Sequence, residues 1–218
     1  MKIAFKIQYK GTNYSGFQSQ KNANSIQDEL IKAFKGISVD NLQMNYSGRT
    51  DKGVHALGQV FDVVVSQDRS DMQWINGLNS NLPNDISVVD LERVEDSFHS
   101  RFDAIDRTYS YLIFNSPSRN VLLDDFYYWE QAELDINKMN EESKYLIGKH
   151  DFTSFRSLSC GSNNPVRNVK EIEINKLGDI IEIKITANAF LQNMVRIIVG
   201  TLLAVSYTHL TLPTILLV

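Results

Sequence analysis

The sequence predicts an α+β protein of two similar sheet-and-helix halves packed side by side. Three observations carry this reading. Strand and helix patterns alternate over residues 1–100, a comparable series recurs over residues 101–205, and no long flexible linker interrupts them. The chain has 218 residues, 43% hydrophobic and 22% charged, enough for one large domain or two small ones.

Residues 2 to 9 alternate apolar and polar side chains and then meet Gly11-Thr12-Asn13, a strand running into a turn. Ser25, with Asp28 three residues on, is placed to cap a helix whose apolar stripe is Ile26, Leu30, Ile31, Ala33 and Phe34. Gly36 is expected to stop that helix. A strand is expected over residues 59 to 65. Asp71 opens a second helix that turns Met72, Trp74, Ile75 and Leu78 inward and is broken by Pro83. Residues 86 to 94 read as a strand, and the boundary between halves falls near residues 96 to 106.

In the second half, residues 107 to 114 form a Tyr-rich strand and residues 136 to 147 a helix. Residues 166 to 175 and 180 to 186 pair across Leu177-Gly178-Asp179, and residues 190 to 203 are helical. No residue-by-residue repeat relates the halves, so their likeness is expected in topology only.

The N-terminal residues space lysines through an alternating pattern and carry no uninterrupted apolar stretch or cleavage site. Cys160 is the only cysteine, which excludes an internal disulfide and a cysteine-held zinc. Both point to the cytoplasm. The net charge of -4 argues against unfocused attraction to nucleic acid, so any such site must be a local basic cleft. With no Walker loop, dinucleotide fingerprint or zinc-spaced cluster, no cofactor and no metal are expected.

The chemistry concentrates between Gly48 and Val60. Gly48-Arg49-Thr50-Asp51-Lys52-Gly53-Val54-His55-Ala56-Leu57-Gly58-Gln59-Val60 holds two cations, one carboxylate, one histidine and three glycines. Gly48 and Gly53 let the backbone turn tightly on either side of Asp51, which can then present its carboxylate at a cleft. The bland alternative is an Asx-turn, with Asp51 bonded to nearby amides and Arg49 and Lys52 solvated. Arg196 lies among Met194, Val195, Ile197 and Ile198, where an unpaired buried cation would be expensive and needs a partner; the bland alternative is a solvent-facing arginine. His55, His99 and His150 sit in separate motifs and read as structural. Asp85 and Asp151 read as turn or cap residues, and Cys160 as an ordinary thiol.

The loop closely resembles the signature Gly-Arg-Thr-Asp-x-Gly-Val-His of the tRNA pseudouridine synthase A family. Further segments resemble that family in its own order along nearly all of the first 205 residues. They are Tyr9-Lys10-Gly11-Thr12-Asn13-Tyr14-Ser15-Gly16-Phe17-Gln18-Ser19-Gln20, where Lys10 and Phe17 depart from the pattern, and Asn79-x-Asn81-Leu82-Pro83-x-Asp85-Ile86. Phe98-His99-Ser100-Arg101-Phe102, Arg107-Thr108-Tyr109-Ser110-Tyr111, Leu146 to Phe155 and Asn193-Met194-Val195-Arg196 follow.

The resemblance implies the pseudouridine synthase fold with a central RNA-binding cleft and an enzyme that isomerises uridine to pseudouridine. Its substrate would be tRNA, at about positions 38 to 40 of the anticodon stem-loop, recognised more by shape than by sequence. It implies Asp51 as nucleophile, Arg196 as the arginine paired with it, and Tyr109 as the residue stacked on the target base. Arg49 would fill the vacated stack or hold a phosphate, and Lys52 would contact phosphate. Tyr111 is left structural. The family works as a homodimer, without membrane attachment. An RNA-binding module without turnover and a carboxylate-dependent hydrolase are the competing readings; the second lacks a partner acid.

From residue 206 to 218 the chain departs from the resemblance. This tail is expected to be anomalous and non-native, the product of sequence assembly or cloning; a divergent final strand and a natural truncation are the bland alternatives.

Overall fold

Alternation along the first strand decides the layout of the N-terminal unit. In β1 (Lys2–Tyr9) the side chains of Ile3, Phe5, Ile7 and Tyr9 are buried while Lys6 and Gln8 face out, the period of two that a one-faced sheet requires. The computed structural model describes residues 1–40 and 42–207. Its chain divides into two compact units, Met1–Ala104 and a second beginning at Ile105.

In the first unit β2 (Met44–Tyr46), β3 (Ala56–Val64) and β4 (Ile86–Val94) join β1 in the order β2-β3-β1-β4, every neighbouring pair antiparallel. Two helices, α1 (Ile26–Gly36) and α2 (Asp71–Asn79), cover one face. Ser25 caps α1 by accepting from Asp28 N at 3.2 Å, as its sequence position implies. A full capping box of Ser70 and Gln73 starts α2. Phe5 stacks on Phe61 at 5.3 Å and meets Phe34 and Trp74 edge-on, so four rings form the centre of the core. Each fully buried side chain of this kind is worth roughly 1.5–3 kcal/mol.

One expectation is sharpened here and one overturned. α1 ends at Gly36 as expected, but the left-handed turn at φ 62° falls to Ser38 and not to the glycine. Its lack of a side chain serves a close approach, because a Cβ there would run into Asn81 just beyond α2. Met72 is 62% exposed, while Trp74 and Leu78 are buried; the 100° step per residue carries Met72 off their stripe.

The second unit holds β5 (Arg107–Asn115), β6 (Tyr128–Glu130), β7 (Gly148–Asp151), β8 (Val166–Leu177) and β9 (Ile180–Ala187) in the order β6-β5-β9-β8-β7. Only β5 and β6 run parallel. The helices α3 (Ile136–Ser143) and α4 (Met194–Tyr207) pack over a core of Ile113, Val169, Ile181, Ile183, Ile185, Met139, Ile198 and Leu202. The helix expected over 136 to 147 breaks into a 3-10 turn at Lys144–Leu146. The one expected from residue 190 begins only at Met194, after Asn193 at φ 62°. The short strands β2, β6 and β7 carry too few residues for a readable alternation and depend on their neighbours for pairing.

Residues 208–218, most of the stretch expected to be anomalous, lie outside the described residues. Its first two continue α4, where Ser206 is buried and its hydroxyl accepts from Asp135 N at 2.6 Å, tying α4 to the start of α3. Among the described residues no helix is long and apolar enough to cross a membrane.

Candidate active site

The Asp51 loop leaves the β2–β3 hairpin after Ser47, whose N–H still pairs with Val60 O at 2.9 Å, and a Gln59 side-chain amide holds the carbonyl of Gly48. Beyond that point the support comes from the turn that follows β1. Tyr9 Oη and Thr50 Oγ1 share a 2.8 Å hydrogen bond, and Phe17 N donates to Thr50 O at 3.2 Å. Gly53 N donates to Tyr14 O at 3.3 Å, and Gly11 N donates to His55 Nδ1 at 3.0 Å. The contact is close enough to demand glycine. A Cβ on Gly11 would strike Val54 O, and one on Gly16, which sits at φ 101°, would strike Thr50 O. Gly53 itself has φ 77°, which closes the turn after Asp51.

This brace fixes the loop through its main chain and the side chains of Thr50 and His55, and leaves three others out. Asp51, Arg49 and Lys52 are all exposed. Asp51 O accepts from Val54 N at 3.2 Å, but among the described residues its carboxylate takes no hydrogen bond from a backbone amide. Asp151 shows the other outcome. Its Oδ1 accepts from Thr153 N at 2.8 Å and Thr153 Oγ1 at 2.6 Å, which hold its carboxyl below the usual range. Asp151 is a turn residue, as expected, whereas the exposed Asp51 carboxylate takes no such bond.

Asp85 is more than the turn or cap residue expected. Its carboxylate accepts from Tyr14 Oη at 2.6 Å and Asn13 Nδ2 at 3.3 Å, and its carbonyl accepts from Lys10 N at 2.8 Å. Burial, then the Asp85 bond and charge, push the Tyr14 hydroxyl well above its ordinary pKa, so it stays a donor. Asp85 thus steadies the turn that steadies the Asp51 loop.

The second unit carries Tyr109 and Arg196. Tyr109 is half-buried on β5 and meets the Phe190 ring edge-on, centroids 5.0 Å apart. Tyr111, two residues along on the same face, packs against the core, and burial raises its pKa while the charge of Arg196 opposes the rise. Arg196 itself is exposed. The buried cation expected from its apolar neighbours is not found, because the buried stripe of α4 is Met194, Ile198, Val199, Leu202 and Ser206, and Arg196 lies off it. Arg49, Asp51 and Lys52 stand on the first unit, Tyr109 and Arg196 on the second.

A family model described as tRNA pseudouridine synthase matches residues 6–103 and 143–216. The tRNA pseudouridine synthase A of Francisella tularensis subsp. mediasiatica is 44% identical over 200 residues, covering 92% of this chain and 78% of that protein. The enzyme of the same name from Francisella philomiragia is also 44% identical, and that of Francisella tularensis subsp. novicida 43%, over the same shares. The chain belongs to the tRNA pseudouridine synthase family. It is therefore related to RNA-modifying isomerases, and Arg49, Asp51, Lys52 and Arg196 fall inside the stretches matched by the family model, with Tyr109 between them.

For a pseudouridine synthase the histidines are instructive. His55 Nδ1 accepts from Gly11 N, His99 Nδ1 from Arg101 N at 3.2 Å, and His150 Nε2 meets Ile147 O at 2.8 Å. All three spend a ring nitrogen on backbone, the structural role expected. Cys160 departs from its expected ordinariness. Backbone N–H groups of Ser162 and Gln192 lower its thiol pKa, burial opposes them, and Arg156 and Arg167 add to the lowering. Among the described residues no three of His, Cys, Asp and Glu gather as a metal site.

Sequence reasoning missed Tyr9, Tyr14, Gly11 and Gly16 as supports of the synthase loop. Their signal was present in the Tyr9 to Gln20 segment, whose match to the family had no role attached to it.

Proposed function

We propose that this chain isomerises uridine to pseudouridine in the anticodon stem-loop of tRNA, at about positions 38 to 40, with Asp51 as the nucleophile. The observation that carries this is the exposed carboxylate of Asp51 on a loop joined to residues 9–17 by four hydrogen bonds, two of them through the loop's main chain. A nucleophile needs that combination: a fixed backbone and an unengaged side chain.

In the reaction the bond from ribose C1′ to uracil N1 breaks, the base turns, and C1′ joins C5. The hydrogen at C5 leaves as a proton and N1 gains one, so no net oxidation occurs. The carboxylate forms a covalent adduct, at uracil C6 or at ribose C1′, and is regenerated when the product forms. Flipping the nucleotide out costs a few kcal/mol, recovered by stacking on Tyr109 and by hydrogen bonds in the pocket. Arg196 supplies the positive charge that keeps the nucleophile ionised, Arg49 fills the vacated stack or holds a phosphate, and Lys52 contacts phosphate. The family pattern supports these roles, together with a homodimer working in the cytoplasm.

Tritium release from tRNA labelled at uridine C5 tests the reading. The isomerase releases label in step with pseudouridine formed; an RNA-binding module or a hydrolase releases none.

A further inference from the structure

From residue 152 to 170 the chain carries Arg156, Arg167 and Lys170 and no acidic residue, in a protein of net charge -4. Lys170 is paired with Asp106 at 2.7 Å. The two arginines are half-buried, and among the described residues neither lies in an ion pair with a carboxylate. Asp151, the acid nearest Arg156 in sequence, is exposed and already engaged by Thr153.

Both guanidinium groups are oriented by neutral oxygens. Arg156 Nη1 donates to Ser162 O at 3.0 Å. Arg167 Nη1 donates to Asn164 O and Val166 O at 2.8 Å each, and its Nη2 to Ser162 Oγ at 3.0 Å. Arg167 Nε is buried with no acceptor. Arg156 and Arg167 both bond Ser162 and are half out of water, where the charge that acts on Arg156 is the exposed carboxylate of Asp151; that partial burial and the orphaned guanidinium N–H of Arg167 carry a cost. An anion with several oxygens offsets the partial burial of the two charges, and a guanidinium fork fits a phosphate.

The loop also has a fixed place beside the base-stacking candidate. Ser157 N donates to Gln192 O at 3.1 Å and Ser159 Oγ to Gln192 Oε1 at 3.3 Å. Gln192 is two residues from Phe190, whose ring touches Tyr109.

We propose that Arg156 and Arg167 form a phosphodiester-binding subsite that holds the RNA backbone near the nucleotide presented to Tyr109. This rests on the synthase reading for the identity of the RNA but not on Asp51 chemistry. A phosphate contact positions the strand without reading its bases, which suits recognition by shape.

The test is tRNA binding by the full chain, titrated over a range of salt concentrations, for the parent, Arg156→Gln, Arg156→Lys and Arg167→Gln. Arg156→Gln is expected to lower the slope of log affinity against log salt by about 1 and to weaken binding roughly fivefold at about 0.15 M salt. Arg156→Lys keeps the charge and restores the slope, which a purely structural arginine would not do. Arg167→Gln gives the same loss; if it fails to fold, the Arg156 pair still decides. Parent-like slope and affinity in a folded Arg156→Gln overturn the subsite. Tritium release by the parent, measured separately, keeps the two readings apart: release with an unmoved slope sinks only the subsite, and no release with a lowered slope sinks only the isomerase.

Discussion

The hydroxyl of Tyr9, at the end of β1, shares a 2.8 Å hydrogen bond with the hydroxyl of Thr50, the residue before Asp51. Tyr9 is 4% exposed, so this bond ties the loop directly to the first unit's core. Replacing Tyr9 by Phe removes the bond and keeps the ring. The expected cost is about 1 kcal/mol in stability, with a several-fold fall in kcat as Thr50 loosens. Urea unfolding and single-turnover kinetics on tRNA measure the two; a kcat equal to the parent's would show that the Tyr9 tie does not position the loop.

Gly16 presses on the same residue from the other side. Gly16→Ala forces a Cβ against Thr50 O at a backbone angle that L side chains rarely adopt. Turnover is expected to fall at least roughly tenfold, a shift of about 1.4 kcal/mol in barrier. Circular dichroism should show the sheet retained.

Asp51→Asn keeps the size of the side chain and removes the nucleophile. Turnover is expected to drop at least roughly a thousandfold, about 4 kcal/mol of barrier, with tRNA affinity largely intact. Residual turnover within tenfold of the parent would sink the assignment.

Asp62 gives a pH signature. It is buried on β3, accepts from Ser100 N at 2.8 Å and Asn45 Nδ2 at 3.0 Å, and lies 3.4 Å from Lys2 Nζ. Burial alone would raise its pKa, but the donors on Ser100 and Asn45, with the Lys2 charge, outweigh it and bring the pKa below the usual 3.8. A carboxylate with a depressed folded pKa stabilises the fold above its unfolded value, and the contribution is lost as pH falls through the folded value. Asp62→Asn should therefore destabilise by roughly 1–3 kcal/mol at neutral pH, with the gap to the parent narrowing below about pH 4. Urea unfolding at several pH values reads this; a gap that stays constant into acid would refute the charge-based role.

Much of the candidate site's local geometry was legible because its signal is local. Asp51, Gly53 and the cations beside them sit within a few residues, and the turn demanded by Gly53 follows from sequence alone. The burial of Arg196 was misread for a related reason. Neighbours along a helix are not neighbours in space, and a 100° turn per residue moved Arg196 off the stripe its apolar neighbours build. Asp85 and Asp151 look alike in sequence, yet one holds Tyr14 across 71 positions and the other only caps Thr153. Composition gives no means of telling them apart, since the distant partner decides the role.

The sequence by itself determined the α+β class, the main strands and capped helices, and the identity of the loop residues, because alternation, capping and turn chemistry act over a few positions. Only the tertiary structure decided which segment holds that loop. Tyr9, Gly11, Tyr14 and Phe17 reach residues 50–55 from some forty positions away, through hydrogen bonds that exist only once β1 and β3 have paired. Pairing across that distance is set by the burial of one sheet face, a property of the whole unit that no short stretch of sequence contains.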